Sequence, residues 1–378
     1  MALTQNREMF GRRINDLRNR LAGHRDTDVD TAWIVQPENR RYLSGFKATD
    51  TQFTESSGSL LVTAEKTVLI TDSRYTTEAR MEAPGFDVLT LKRDLETDLP
   101  DILHTIGTRT LGFEGDYLTW GTHRRLAESL GTSPNAIDLV PLPPMLEDMR
   151  EIKDDRELDI LRDAANLISH IFDTVINTLE PGMTEKEVAR RIESLAISGG
   201  AEALSFPSIV ASGPNSTLPH AVPTNRRLRA AEPVIIDAGV RLNGYCSDMT
   251  RTVFIGPPNE PFRDIYKIIK KAQSTAIKMI QPLVSTTEVD GAARDIIKGA
   301  GYGEYFGHGL GHGVGLATHE RPRLGPRKPV LLKAGMVVTV EPGIYLPEKG
   351  GIRLEEMVVV TDTGAEILTR NQNVYDFE

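Results

Sequence analysis

The chain has 378 residues, more than one hydrophobic core ordinarily serves, so two domains are expected. Hydrophobic residues make up 39% and charged residues 26%. No apolar run approaches the roughly 18 to 20 residues that span a bilayer, so no membrane partner is expected. A net charge of −9 disfavours nucleic acid, whose phosphates call for clustered lysine and arginine. The single cysteine, Cys246, excludes an intrachain disulfide and a cysteine-based zinc cluster, so any metal must be held by oxygen and imidazole.

The first stretch, residues 1–21, is charged and helix-patterned, without the apolar core and cleavage site of a signal peptide, which makes a cytoplasmic location the expectation. Gly58–Thr63 and Thr67–Thr71 flank Ala64-Glu-Lys66 and predict a hairpin, Tyr75–Ala83 predicts a helix, and Leu111-Gly-Phe113 a short strand. Around Val140-Pro-Leu-Pro-Pro-Met145 the prolines are expected to interrupt regular structure, and a domain boundary is placed there, giving domains of 1–147 and 148–378.

From about Lys153 a helix is predicted, with Leu158, Leu161, Ala165, Ile168, Phe172, Val175 and Leu179 as one apolar stripe ending at Pro181-Gly182. The second domain contains an internal repeat. Leu179–Val188 aligns without gaps on Ile280–Val289, each copy with a capping-box pattern, Thr184 with Glu187 and Ser285 with Glu288, opening a helix that runs to a glycine stop. Another amphipathic helix precedes each, over Lys153–Leu179 and Phe262–Ile280. An apolar strand entering a hairpin follows each, Pro233–Val240 and Gly335–Pro342. A helix-helix-hairpin unit used twice predicts a pseudo-twofold domain with its cleft between the halves.

Asn243-Gly244 signals a two-residue hairpin turn, which pairs Leu242 with Tyr245 and sets Asp237 opposite Thr250. Asp248 then lies two residues along on the same face, a diagonal neighbour of Asp237. An aspartate beside glycine in a hairpin is ordinary turn chemistry, yet Asp237 sits inside an apolar run, where a charge needs a counter-charge or a metal. Glu341 ends the matching run of the second hairpin, and Gly351–Met357 offers Glu355 and Glu356 on opposite faces, which period alone does not distinguish. Between the hairpins, Phe306–Glu320 holds three histidines, His308, His312 and His319, among glycines expected to let backbone approach a ligand. It lacks G-x-G-x-x-G after a strand, so a dinucleotide site is rejected. His220 precedes the first hairpin much as His319 precedes the second, and the two are expected to face one another across the cleft.

These residues resemble the pita-bread metallopeptidases, the family of methionine aminopeptidase, aminopeptidase P and prolidase. The resemblance rests on Asp237 and Asp248, on Gly311–Glu320, on Glu341-Pro-Gly-Ile-Tyr345 and on Gly351-Ile-Arg-Leu-Glu355. Weaker echoes, Tyr42–Phe46 and Leu69–Tyr75, make the preceding domain similar to that of creatinase, aminopeptidase P and prolidase. The fold class implied is α+β, a C-terminal pita-bread domain with a smaller creatinase-like α/β N-terminal domain.

By resemblance the metal ligands are Asp237, Asp248, His312, Glu341 and Glu355, holding two divalent ions, manganese first with cobalt or zinc as alternatives, and a water between them. Glu341 is the expected proton acceptor, and His220 and His319 the expected contacts of the scissile carbonyl. His308, Arg323, Tyr345 and Arg353 form the expected substrate-binding set, with Arg353 also orienting the acidic ligands through an ion pair. The substrate implied is a proline-containing di- or oligopeptide cleaved before proline. Arg323 tips the reading toward an Xaa-Pro dipeptidase, because arginine grips a free carboxylate in bidentate fashion. Its alternative reading is a surface charge. An Xaa-Pro aminopeptidase acting on longer peptides is the other enzyme reading, and a non-enzymatic binding relative is disfavoured because all five ligand positions are filled. A homodimer is expected from the family alone.

Overall fold

The computed structural model describes residues 2–23, 28–50, 56–131 and 136–370, and the chain forms two compact units, Met1–Met149 and Arg150–Glu378. No helix among the described residues is long and apolar enough to cross a membrane.

The first unit is a six-stranded mixed sheet with helices. In chain order it comprises α1 (Ala2–Gly23), β1 (Thr31–Ile34), α2 (Pro37–Ser44), β2 (Ser59–Thr63), β3 (Thr67–Thr71), α3 (Thr76–Glu82), β4 (Asp87–Thr90), α4 (Leu95–Ile106), β5 (Thr110–Glu114), α5 (Trp120–Gly131), β6 (Asp138–Leu142) and α6 (Met145–Glu151). The predicted N-terminal helix forms, with Met1 outside the described residues. The predicted hairpin is β2–β3, in the register Leu60↔Leu69. Strand order is β4-β3-β2-β1-β5-β6, with β1, β5 and β6 mutually parallel. Trp33, Leu61, Ile70, Leu99, Leu103, Leu111 and Leu126 form its core, each such side chain contributing about 1.5–3 kcal/mol by leaving water. One expectation holds only in part: Pro143-Pro144 do separate β6 from α6, but Val140-Pro-Leu142 lies in β6, opposite Gly112 to Glu114. Because β6 is an edge strand, the N–H that Pro141 lacks removes no ladder bond on its open side.

The second unit carries the repeat. Its first half has α7 (Asp155–Ile176), α8 (Glu185–Ser198), β7 (Ala203–Leu204), β8 (Ile209–Ser212), β9 (Pro233–Ala238), β10 (Val240–Leu242), β11 (Tyr245–Cys246) and β12 (Met249–Phe254). Its second half has α9 (Phe262–Met279), α10 (Thr286–Gly299), β13 (Gly311–Gly313), β14 (Glu320–Leu324), β15 (Val337–Val340), β16 (Gly343–Leu346), β17 (Gly350–Arg353), β18 (Glu356–Thr361) and β19 (Gly364–Ile367). Both predicted capping boxes are made, at Thr184 with Glu187 and at Ser285 with Glu288. Helix α7 ends at Ile176, so Leu179 falls past it and the stripe is shorter than expected.

Each half has its own core: Ile168, Phe172, Val188, Ile192, Val234, Ile236 and Val253 in the first, Tyr266, Ile269, Val289, Val338, Val340, Ile352 and Val358 in the second. The hairpins are built alike. A long ladder, β9·β12 or β15·β18, is interrupted near its end, and the same register resumes in a short outer pair, β10·β11 or β16·β17. Asn243 (φ 48°) and Gly244 (φ 87°) close the first with the positive dihedrals of a type I′ turn, giving the predicted Leu242↔Tyr245 and Asp237↔Thr250 pairs. The interruptions are where three of the four acidic residues sit. Asp248 lies between β11 and β12, while Glu341 follows β15 and Glu355 precedes β18, directly beyond the pair Val340↔Glu356.

Candidate metal centre

The two interrupted hairpins and β13 bring one set of side chains together. Asp248, His312 and Glu355 present ligand atoms all within 4.8 Å of one another. His312 Nε2 lies 3.7 Å from Asp248 Oδ2 and 3.4 Å from Glu341 Oε1. Asp237, on β9, is joined to the group through Arg353, whose Nη2 donates to its Oδ2 at 2.6 Å. Asp237, Asp248 and Glu355 are 8%, 4% and 2% exposed, so their charges are largely shut off from water.

The choice between the adjacent glutamates follows from their partners. Glu355 accepts a hydrogen bond from Thr250 Oγ1 at 2.7 Å and faces the cluster. Glu356 points away, to Arg251 Nη2 at 2.7 Å and Thr369 Oγ1 at 2.6 Å. Arg251, buried behind the ladder, also donates to the carbonyl of Glu355 at 2.5 Å and so fixes which glutamate turns inward.

Burial is the first electrostatic fact of the centre. It pushes the Asp248 carboxyl well above the usual range, helped by the charges of Glu355, Asp237 and Glu341. Glu355 is raised likewise by burial and by Glu341 and Asp237, and burial lifts Glu341 to about 7. Arg353 is the cation among them: burial works against its charge, but Tyr345, Asp237 and Glu341 hold it protonated. One guanidinium does not balance four carboxylates, so the group needs either protons or further cations.

The residues fit divalent metal. His312 is kept neutral by burial and by His319, with its pKa drawn down to about 4. Its Nδ1 lies 3.0 Å from the carbonyl of Gly313. A proton there leaves the Nε2 lone pair facing the acidic oxygens, as metal-binding imidazoles require. Asp237 Oδ1 is buried with no hydrogen-bond partner, an orphan that an ion would satisfy. Four carboxylates and one imidazole make a hard, oxygen-rich donor set.

Around this centre stand the other residues singled out in the sequence. His319 packs against His312, ring centroids 4.2 Å apart and planes tilted by 56°. Its pKa is lowered by burial and by the neighbouring His220 and Arg323, which places those two residues within electrostatic reach of it. Tyr345 Oη lies 3.0 Å from His308 Nε2 and receives Arg353 Nη1 at 2.9 Å. Arg323 is exposed and lies directly opposite His312 across β13·β14, on the same face.

Two glycines of the glycine-rich segment lie directly against neighbouring strands. A Cβ at Gly311 would sit 2.0 Å from the carbonyl oxygen of Thr339, and one at Gly313 2.1 Å from that of Arg321. At these two positions neighbouring strands approach closely, which brings the His312 backbone close to β15. Sequence reasoning also missed Thr250 and Thr339. Thr250 Oγ1 bridges Arg353 Nε at 3.2 Å and Glu355, and Thr339 Oγ1 donates to Glu341 Oε1 at 3.3 Å. Both lie two residues from a ligand on the same strand face, so the period-two rule that placed Asp248 could have found them.

A buried oxygen-rich centre at the seam of a duplicated helix-helix-hairpin unit is the arrangement of a metal-dependent hydrolase. Residues 159–362 match the Metallopeptidase family M24 and residues 13–152 the Creatinase/Prolidase N-terminal domain. The Xaa-Pro dipeptidase of Pyrococcus furiosus is 36% identical over 348 residues, 92% of this chain and 95% of that protein. The solved structure of an Xaa-Pro dipeptidase from Bacillus anthracis superposes with a TM-score of 0.88 at 34% identity, covering 96% of this chain and 98% of that one. An X-Pro aminopeptidase from Thermotoga maritima gives 0.82 at 34% identity, covering 95% and 97%. The chain belongs to metallopeptidase family M24.

Proposed function

We propose that the chain hydrolyses the peptide bond preceding proline and acts as an Xaa-Pro dipeptidase, with 148–378 as its catalytic domain. The observation that carries this reading is the buried cluster of Asp248, His312 and Glu355, flanked by Asp237 and Glu341, in a chain similar along its length to Xaa-Pro dipeptidases. Those five residues hold two divalent ions, manganese first, with cobalt or zinc as alternatives. When bound, such ions supply Lewis acidity, which acidifies the attacking water and polarises the scissile carbonyl. Glu341 takes the proton of the attacking water and delivers it to the leaving proline nitrogen. His220 and His319 donate hydrogen bonds to the carbonyl oxygen as it gains charge, an interaction that strengthens toward the transition state. Arg353 keeps Asp237 aimed and, with Tyr345 and His308, forms a fixed polar wall beside the substrate.

Arg323 supports the dipeptide preference, since an exposed guanidinium on the His312 face suits a free proline carboxylate. The likeness to the Thermotoga X-Pro aminopeptidase favours a second reading, cleavage of longer peptides. Comparing Ala-Pro with Ala-Pro-Ala on the manganese- or cobalt-loaded protein separates them. The dipeptide should be preferred, and Arg323→Ala should raise KM for Ala-Pro while leaving Ala-Pro-Ala little changed. Equal cleavage of the tripeptide would overturn the dipeptidase assignment. A cytoplasmic homodimer is proposed as the working state.

A further inference from the structure

We infer that Glu185 is a positioning residue for His220, an inference that rests on reading His220 as a contact of the developing oxyanion. Glu185 stands in the first turn of α8 and is fully buried. Its carboxylate accepts from Ser212 N and Ser212 Oγ, both at 2.8 Å, and from Thr224 N at 2.9 Å and Thr224 Oγ1 at 2.6 Å. Asn215 Nδ2 adds a bond of 3.1 Å to each oxygen. Ser212 and Thr224 bracket the segment that carries His220, so a single side chain ties its two ends together.

Further bonds fix the middle of the segment. Gly351 N donates to Ser216 Oγ at 2.8 Å, and Arg353 Nη1 donates to the carbonyl of Pro219 at 3.0 Å. Among the described residues the His220 ring has no hydrogen bond of its own, so its place is set by the backbone that bears it. Every group facing Glu185 is a donor, and only an ionised carboxylate offers acceptors to all of them. The start of α8 favours that negative charge, and the bonds from Thr224 and Ser212 outweigh burial, keeping the carboxyl below its ordinary range. Glutamine has the same shape but turns an NH2 toward at least one donor, which must then shift.

The test is a double-mutant cycle on the metal-loaded enzyme: wild type, Glu185→Gln, His220→Ala and the double variant, each with kcat, KM and bound metal measured. Glu185→Gln should lower kcat roughly 10- to 100-fold, the scale expected for misplacing a reacting group by about 1 Å. KM should change little and bound metal should stay at the wild-type level. In the His220→Ala background the same substitution should cost nothing further. Multiplicative losses in the double variant would overturn the inference, since Glu185 would then act by another route. A silent His220→Ala would instead remove the underlying reading of His220, a distinct failure. If Glu185→Gln does not fold, Asn215→Ala and Thr224→Val, which each remove part of the tie, replace it in the same cycle, and a loss that persists without His220 overturns the inference equally.

Discussion

The two halves of the second unit fix a histidine on an irregular segment by different chemistry. In the first half, Glu185 takes its hydrogen bonds from neutral donors of Ser212, Asn215 and Thr224, with the charge of Arg226 one residue further out. In the second, Glu320, next to His319, lies between Arg150 and Lys153, bonded to the first and 3.3 Å from the second, and also receives Ala317 N at 2.8 Å. The position matching Glu185 in the second copy is Thr286, whose Oγ1 merely receives Val330 N at 3.1 Å. Duplication thus preserved the helices, caps and interrupted hairpins but not the means of holding the loops. The frame is set by packing, which tolerates few alternatives, whereas a buried carboxylate needs only enough donors or cations.

The largest expected effect tests what the halves share. Asp248→Ala, from the first hairpin, and Glu355→Ala, from the second, should each take turnover of an Xaa-Pro dipeptide below detection, as should a strong chelator. Bound divalent metal measured by atomic spectroscopy should fall in both variants. Turnover surviving chelation, or surviving the loss of one hairpin's ligand alone, would mean that the halves do not build a common centre.

Next in size is the contrast itself. Removing Glu320 takes the shared carboxylate from two buried cations, so Glu320→Ala should cost about 3–5 kcal/mol, while Glu185→Ala leaves neutral donors and should cost about 1–3 kcal/mol. Urea midpoints at an unchanged slope give both values, and the reverse ranking would break the distinction drawn between the halves. The two glutamates should nevertheless respond to acid with the same sign. For each, burial raises the carboxyl's pKa, but hydrogen bonds at Glu185, and chiefly Arg150 and Lys153 at Glu320, bring it below the ordinary 4.5. A depressed folded value means that the unfolded chain takes up the proton first. The stabilisation is therefore complete above 4.5 and is lost as pH falls from there through the folded value. The gap between wild type and either variant should stay constant from neutral pH down to about 4.5 and close below it. A gap that widened in acid would contradict the sign.

Much of this was legible in the sequence because it depends on local rules. Asn243-Gly244 fixed the first hairpin's register to the residue, since few sequences accept two consecutive positive φ angles. The capping boxes marked both repeat helices for a similar reason. By contrast, the neighbour of Gly311 is the carbonyl of Thr339, distant in sequence, so its crowding left no local signal. Arg150 and Lys153 likewise carry no mark of a partner in the sequence, and only tertiary packing reveals Glu320 between them. Pro141 misled because a proline reads as a breaker until the strand holding it is known to be an edge.

The smallest expected effect sharpens the comparison most finely. Thr184→Ala and Ser285→Ala remove corresponding caps, each worth about 1 kcal/mol, and should lower stability equally. Their effects on catalysis should differ. Thr184 directly precedes Glu185, and its hydroxyl donates to Glu187 at 2.8 Å, so fraying this helix start loosens the residue that holds Ser212 and Thr224 together. Ser285 precedes Thr286, whose side chain, among the described residues, bonds only to Val330. Equal losses of stability with a fall in kcat for Thr184→Ala alone would show that the first helix start carries a catalytic duty its copy lacks. Equal falls in kcat would instead mean that both helix starts support the centre alike, and the asymmetry assigned to Glu185 would have to be given up.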